Sequence, residues 1–160
     1  CALGRRYRYW LLQSPVRPAL EHGLCGWSFQ PLDGEAMRAA AALLIGEHDF
    51  SSFRAAGCQA RSPVKTLRAI DIERRGAYWR FDFDASAFLH HMVRNLVGTL
   101  VYIGKGAQSP AWIDELLLVR DRTRAAPTFS PDGLYFRGPV YEAHWALPEA
   151  DDDLIDCLQT

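Results

Sequence analysis

An α+β fold, one antiparallel sheet with its helices gathered on a single face, is what this sequence predicts. Three observations carry the expectation. Segments that alternate apolar and polar residues with period two are separated by segments with the 3.6-residue spacing of amphipathic helices. Their order along the chain reads β-α-β-β-α-α-β. The length, 160 residues of which 49% are apolar, suits one domain with enough apolar surface to bury a core.

Residues 5–13, Arg-Arg-Tyr-Arg-Tyr-Trp-Leu-Leu-Gln, open the series as an aromatic-rich strand that Ser14-Pro15 ends. Period two sets Tyr7, Tyr9 and Leu11 on one face and Arg6, Arg8, Trp10 and Leu12 on the other. A loop containing Pro and Gly runs to Pro31. Asp33 is placed to cap a helix over residues 35–45, with Met37, Ala40, Ala41 and Leu44 on one stripe and Gly46 as its stop. Residues 47–63 show no clean period and read as an ordered loop holding two Phe and an Arg among Ser and Gly. Residues 66–74 and 77–85 alternate on either side of Arg75-Gly76, a hairpin signal. In the second of these strands Trp79, Phe81, Phe83 and Ala85 face the core, and Tyr78, Arg80, Asp82 and Asp84 face a polar side.

A long helix is expected over residues 87–103, with Leu89, Met92, Val93, Leu96, Leu100 and Ile103 as its stripe. Ser109-Pro110 opens a further helix to about residue 120, Pro being tolerated at a first helical position. A last strand over residues 134–145 follows a loop rich in Arg, Pro and Thr. This order suits the ferredoxin-like split β-α-β-β-α-β antiparallel sheet. Residues 1–148 are read as the domain and residues 149–160 as a loose acidic tail.

Charge adds a hint about partners. The formal net charge is -1, yet Glu149, Asp151, Asp152, Asp153 and Asp156 crowd the tail, so basic residues outnumber acids in the rest. No acid precedes Glu21, whereas Arg5, Arg6, Arg8 and Arg17 do. Arg54, Arg61, Lys65 and Arg68 form a second acid-free cluster. Two local basic clusters on a near-neutral chain suit an anionic ligand at a defined site. Four cysteines without a C-x-x-C pair (Cys1, Cys25, Cys58, Cys157) suit free thiols in a reducing, cytoplasmic setting. No apolar run reaches the roughly 18–20 residues of a membrane span, and no signal peptide opens the chain. It begins at Cys1 rather than Met, which is read as a piece of a longer protein.

No general base or nucleophile announces itself. Asp82 and Asp84 read as a solvated hairpin face, and His48-Asp49 lacks a third group. Adjacent His90 and His91 on a helix would diverge by about 100° and could not grip one metal ion. No phosphate loop and no G-x-S-x-G elbow occur. Arg94 stands out, because it interrupts the apolar run Phe88-Leu-His-His-Met-Val-Arg-Asn-Leu-Val-Gly98. A buried guanidinium requires an anionic partner, and no acid lies three or four residues away on that helix.

The string Ala87-Phe-Leu-His-His-Met-Val-Arg-Asn-Leu-Val-Gly-Thr-Leu resembles the late motif of the tRNA pseudouridine synthase A family. Three further stretches are similar to that family in its own order: Arg6-Tyr7-Arg8-Tyr9, residues 44–54, and Asp121-Arg122-Thr123 through Gly133-Leu134-Tyr135. The resemblance covers residues 5 to about 147. It implies an isomerase that converts uridine to pseudouridine in the anticodon stem-loop of tRNA, as a cytoplasmic homodimer, with no cofactor and no metal. It implies that Tyr7 stacks on the target base and that Leu134 lines the base pocket. Arg94 would pair with the family's catalytic Asp, while Phe53 and Arg54 help shape the tRNA surface. Arg5, Arg6, Arg8, Arg61, Lys65 and Arg68 are the corresponding candidates for phosphate contacts. The family's aspartate lies in a Gly-Arg-Thr-Asp-Ala-Gly-Val-His segment, which these 160 residues lack. The chain therefore resembles a C-terminal half that is inactive alone. Phe129-Ser130 departs from the Ala-rich stretch expected before Gly133.

Two readings from other classes stay open on sequence. A non-catalytic RNA-binding module would also use a base-stacking sheet, though its K/R-G-F/Y-G/A-F-V-x-F/Y string is absent. A structural or dimerising domain would need only the apolar composition. The Gly-Arg-Thr-Asp-Ala-Gly segment in the parent gene discriminates among them.

Overall fold

A computed structural model of the chain describes residues 3–21, 23–57 and 61–140. The expected tail and the end of the last strand lie outside these residues, as do Cys1, Cys58 and Cys157. Strand β1 (Gly4–Gln13) occupies the middle of a six-stranded sheet. Along one edge it pairs antiparallel with β5 (Tyr78–Ala85). Its other edge is shared. β6 (Leu134–Val140) pairs antiparallel with Gly4 to Tyr9, and the short β2 (Gly26–Ser28) pairs parallel with Leu11 to Gln13. Beyond β5 come β4 (Val64–Arg75) and β3 (Gly46–Asp49). The hairpin's second strand is thus inserted between β1 and β4, and the four long strands, β1, β4, β5 and β6, pair antiparallel with one another. Gly76, at φ 61°, takes the left-handed position in the hairpin turn.

The period-two reading of β1 and β5 sorts the two faces correctly. Tyr9, Leu11, Trp79, Phe81, Phe83 and Ala85 join one core cluster with the buried stripes of α1 (Gly34–Leu44), α2 (Met92–Gly104) and α3 (Trp112–Val119). Asp33 caps α1, its carboxylate accepting from the N–H groups of Glu35 and Ala36 at 3.0 and 3.2 Å. On the opposite face Trp10, Leu12, Cys25 and Tyr78 form a smaller cluster beside a lattice of ion pairs. Burial pushes the free Cys25 thiol up to about 11, so it packs as a small apolar group. No helix among the described residues is long and apolar enough to cross a membrane.

Three elements differ from the expectation. β2 lies inside the stretch read as a loop, and β3 inside the one read as an ordered loop; both are short. β3 is Gly-Glu-His-Asp, with no apolar alternation to reveal it, and is defined by its pairing with β4. The long helix starts at Met92 rather than near residue 87, because His91 sits at φ 60°, ψ 7°, outside helical geometry.

Candidate functional site

A cavity of about 450 Å³ opens where the first half of β1, the turn before α2 and the start of β6 meet. That is within the roughly 300–1,000 Å³ typical of small-ligand sites. Arg5 and Tyr7 come from β1, Leu134 from β6, and His90, His91 and Arg94 from the entry of α2. No Asp or Glu is among its described lining residues.

Tyr7 is half-buried. Its ring meets Phe88 edge-on at 5.0 Å and Phe136 in a tilted contact at 5.2 Å. Such contacts fix a ring without covering both of its faces. Arg94 is held at one end only. Its Nε donates to the Phe129 carbonyl at 2.8 Å, and the Phe129 N–H donates back to the Arg94 carbonyl at 3.3 Å. Among the described residues Arg94 forms no ion pair. The carbonyl that grips it belongs to the loop between α3 and β6, whose position is set from several sides. Tyr9 Oη donates to Ser130 O at 2.6 Å. Burial holds that phenol well above the usual tyrosine range, with the Arg94 charge pulling the other way, so it remains a proton donor. Gly98 lets the loop cross α2 closely, since a β-carbon there would collide with the Pro127 carbonyl oxygen.

Asn95, next to Arg94 and 0% exposed, ties the same loop to α2. Its Nδ2 donates to Phe53 O at 2.8 Å. Its Oδ1 accepts from Arg122 Nη2 at 3.0 Å and from Thr128 Oγ1 at 2.7 Å. Arg122 donates further to Ala126 O and Thr128 Oγ1. One amide thus joins the 3-10 turn at Ser51–Phe53 to both ends of the closing loop.

Tyr7, Arg94, Leu134 and Arg5 are therefore brought together. The other residues singled out from the sequence are not. Phe53 is a correction: its ring is 0% exposed, packs on Phe50 in the core and cannot meet a bound RNA directly. Its aromatic bulk anchors the loop from within. Arg54 follows it, half-buried, away from the cavity. Arg8 is a second correction. It is 6% exposed and grips Asp82 through two hydrogen bonds of 2.6 and 2.9 Å on the far face of the sheet. Arg68 is exposed and donates to Asp84, Leu3 O and Ala85 O. Asp82 and Asp84 are accordingly ion-paired rather than merely solvated. Arg6 lines a cavity of about 190 Å³ on that same far face. Arg61 is exposed and Lys65 half-exposed on and before β4.

Sequence reasoning missed Asn95, Phe129, Arg122 and the arrangement of His90 and His91. A fully buried Asn on an apolar stripe could have flagged the first. Nothing local signals that a backbone carbonyl 35 residues downstream holds Arg94. The two imidazoles, expected to diverge, are stacked at 3.9 Å with 28° between their planes. Burial, then His90, then Arg94 hold the His91 pKa below its ordinary value.

A family profile described as tRNA pseudouridine synthase matches residues 40–142, a span that includes Arg94, Asn95 and Leu134 and begins after Tyr7. The tRNA pseudouridine synthase A of Dechloromonas aromatica (strain RCB) is 64% identical over 155 residues, covering 97% of this chain and 59% of that protein. That of Methylibium petroleiphilum is 66% identical over 148 residues, covering 92% and 57%. That of Variovorax paradoxus (strain S110) is 64% identical over 151 residues, covering 92% and 56%. The chain spans less than two thirds of the length of these curated relatives. The match takes in the second half of α1 from residue 40, the hairpin, the whole entry of α2 and the closing loop that holds Arg94, and on that ground this chain belongs to the tRNA pseudouridine synthase family.

Proposed function

We propose that this chain is the C-terminal part of an enzyme that isomerises uridine to pseudouridine in the anticodon stem-loop of tRNA. The cavity between Tyr7 and Arg94 receives the target base. The observation that carries this reading is the convergence of Tyr7, Arg94 and Leu134 on one cavity whose described lining holds a cation and no acid. The name carried by the relatives, tRNA pseudouridine synthase A, supports the substrate.

The reaction breaks the bond from the ribose C1′ to N1 of the base and forms one from C1′ to C5. A proton leaves C5 and one is gained at N1. That balance requires no oxidant, reductant or group donor. A base must leave its stack to be turned in this way, and an aromatic face is suited to hold it once unstacked. Tyr7 supplies that face, and Leu134 closes the pocket. With Nε taken by Phe129 O, the terminal nitrogens of Arg94 are available for a planar two-point contact with a carboxylate. The cation lowers that carboxylate's pKa and keeps it ionised. The Gly-Arg-Thr-Asp-Ala-Gly-Val-His segment, outside these 160 residues, supplies the aspartate. The same reading includes a cytoplasmic homodimer, for which sedimentation of the full-length protein at twice its monomer mass is the expected result.

The test uses the full-length protein and tRNA tritiated at C5 of uridine, because the C5 proton is lost on isomerisation. Tritium release is expected from the wild type and falls about a hundredfold or more in Arg94→Ala, the scale seen when a transition-state contact is removed. A wild type that releases no tritium sinks the function. Most of the release surviving in Arg94→Ala sinks the role of that residue.

A further inference from the structure

We propose that the stacked pair His90–His91 is a platform for the nucleotide adjoining the target uridine, steering that neighbour into a second cavity beside the base pocket. This rests on the isomerase reading above and extends it to how the RNA strand is threaded.

The second cavity measures about 560 Å³ and shares His90 and His91 with the first. The two imidazoles therefore stand at the boundary between the spaces. Its remaining wall is made of small residues, Ala55, Ala56, Ala125 and Pro127 with Thr123 and Thr128, and the guanidinium of Arg122 is beside them. Small walls leave room for a flat base, and the charge of Arg122, whose guanidinium is itself held by Asn95, Ala126 and Thr128, makes the cavity attractive to the phosphate linking two nucleotides. An RNA strand entering the Tyr7 pocket with one base must carry its neighbour past this boundary.

The pair is built for that position. His91 occupies the left-handed region at φ 60°, ψ 7°, which a non-glycine residue rarely adopts. Strain of this kind persists only where the surroundings enforce it, and such positions gather at functional sites. Here the His90 carbonyl accepts from Ala55 N–H at 3.1 Å, and the His91 carbonyl accepts from Asn95 N–H at 2.9 Å. The backbone is pinned on both sides of the kink. Its consequence is that two neighbouring side chains, which a helix would splay apart, stack at 3.9 Å with their planes 28° apart. His90 is exposed, so one face of the stack is open to solvent. The lowered His91 pKa suits neutral stacking, with no charge repulsion between the rings. The groups facing the pair are Arg94 on one side and Arg122 on the other. Successive aromatic faces binding successive bases are a general device for single-stranded RNA.

The experiment uses full-length protein and tRNA carrying 2-aminopurine at the nucleotide 5′ or 3′ to the target. Stacking on His90 quenches its fluorescence at one of these two positions. His90→Ala, an exposed site, is expected to abolish the quenching, and His90→Phe to restore it. His91→Gly keeps the left-handed backbone while removing the inner ring, and weakens the quenching. A coupling cycle completes the test. Removing the base of that same neighbour weakens wild-type binding about tenfold, and combining the abasic RNA with His90→Ala adds no further loss. Absence of quenching at both flanks, or fully additive losses, overturns the platform. Tritium release from the wild type in the same preparation separates this failure from failure of the isomerase reading, which would show as no release whatever the fluorescence.

Discussion

The guanidinium of Arg94 is fixed at Nε and open at its terminal nitrogens. Arg94→Lys keeps the positive charge but loses both the Phe129 anchor and the planar fork, so tritium release should recover only in small part over Arg94→Ala. Near-wild-type release from the lysine variant would reduce the requirement to a point charge. For Tyr7 the ring matters more than the hydroxyl, which makes no hydrogen bond among the described residues. Tyr7→Phe is expected to keep most of its turnover. Tyr7→Ala is expected to lose about 1–3 kcal/mol of stacking, or roughly five- to 150-fold in kcat/KM. Equal losses in both variants would assign the work to the hydroxyl. The arginines of β1 separate in the same way. Arg5 is exposed at the cavity, whereas Arg8 is buried against Asp82. Arg5→Ala should leave stability within about 0.5 kcal/mol and lower the salt dependence of RNA binding by about one unit of slope. Arg8→Ala should cost about 1–2 kcal/mol of stability, below the usual figure for a broken buried pair because Arg80 also reaches Asp82. Chemical denaturation and salt titration of the two variants check the contrast.

Between elements, Asn95 joins the 3-10 turn, α2 and the closing loop. Asn95→Leu strands the Phe53 carbonyl and an Arg122 N–H away from water. It should cost about 2–3 kcal/mol, on the order of 5–10 °C in the thermal midpoint. Asn95→Asp keeps both acceptor contacts but turns the donor to Phe53 O into an acceptor facing that carbonyl, so it too should lower the melting temperature. Two variants as stable as the wild type would show that packing, not the hydrogen bonds, holds the loop. This network also marks where sequence stops being legible. Period two placed Tyr9 and Phe83 on the helix face, and period 3.6 placed Met37 and Leu96 in the core, because both patterns are local. Asp33 was readable as a cap for the same reason. β3 was not, since an edge strand of Gly-Glu-His-Asp has no buried face to encode. The kink at His91 was not, because the contact that holds the chain before it comes from Ala55, far off in sequence. Arg8 looked like an RNA ligand because charge on a strand does not reveal which partner lies across the ladder. Tyr7 and Arg94 became visible as a site only through resemblance, since 87 residues separate them and tertiary structure alone brings them to one cavity.

For the molecule as a whole, the division between core and site leads to a separation of folding from activity. One continuous cluster of buried residues links α1, α2, α3 and the sheet within the described residues, so the 160-residue chain is expected to unfold cooperatively on its own. Its cavity has no described acid, and so the chain alone is expected to release no tritium from C5-labelled tRNA. Clear release would mean that an acid within the chain, such as Asp49, Asp82 or Asp84, reaches the base, and would refute the division of labour proposed here. RNA affinity should survive in weak form. Of the residues named as phosphate candidates, Arg5, Arg61 and Lys65 make no ion pair among the described residues. Three such contacts give a slope of about −2 to −3 in log affinity against log salt. A slope near zero would mean that phosphates are bound chiefly by the rest of the protein. A much steeper one would mean that Arg8 and Arg68 leave their carboxylates when RNA arrives, a rearrangement that replacing Asp82 or Asp84 with Asn should make easier and so expose.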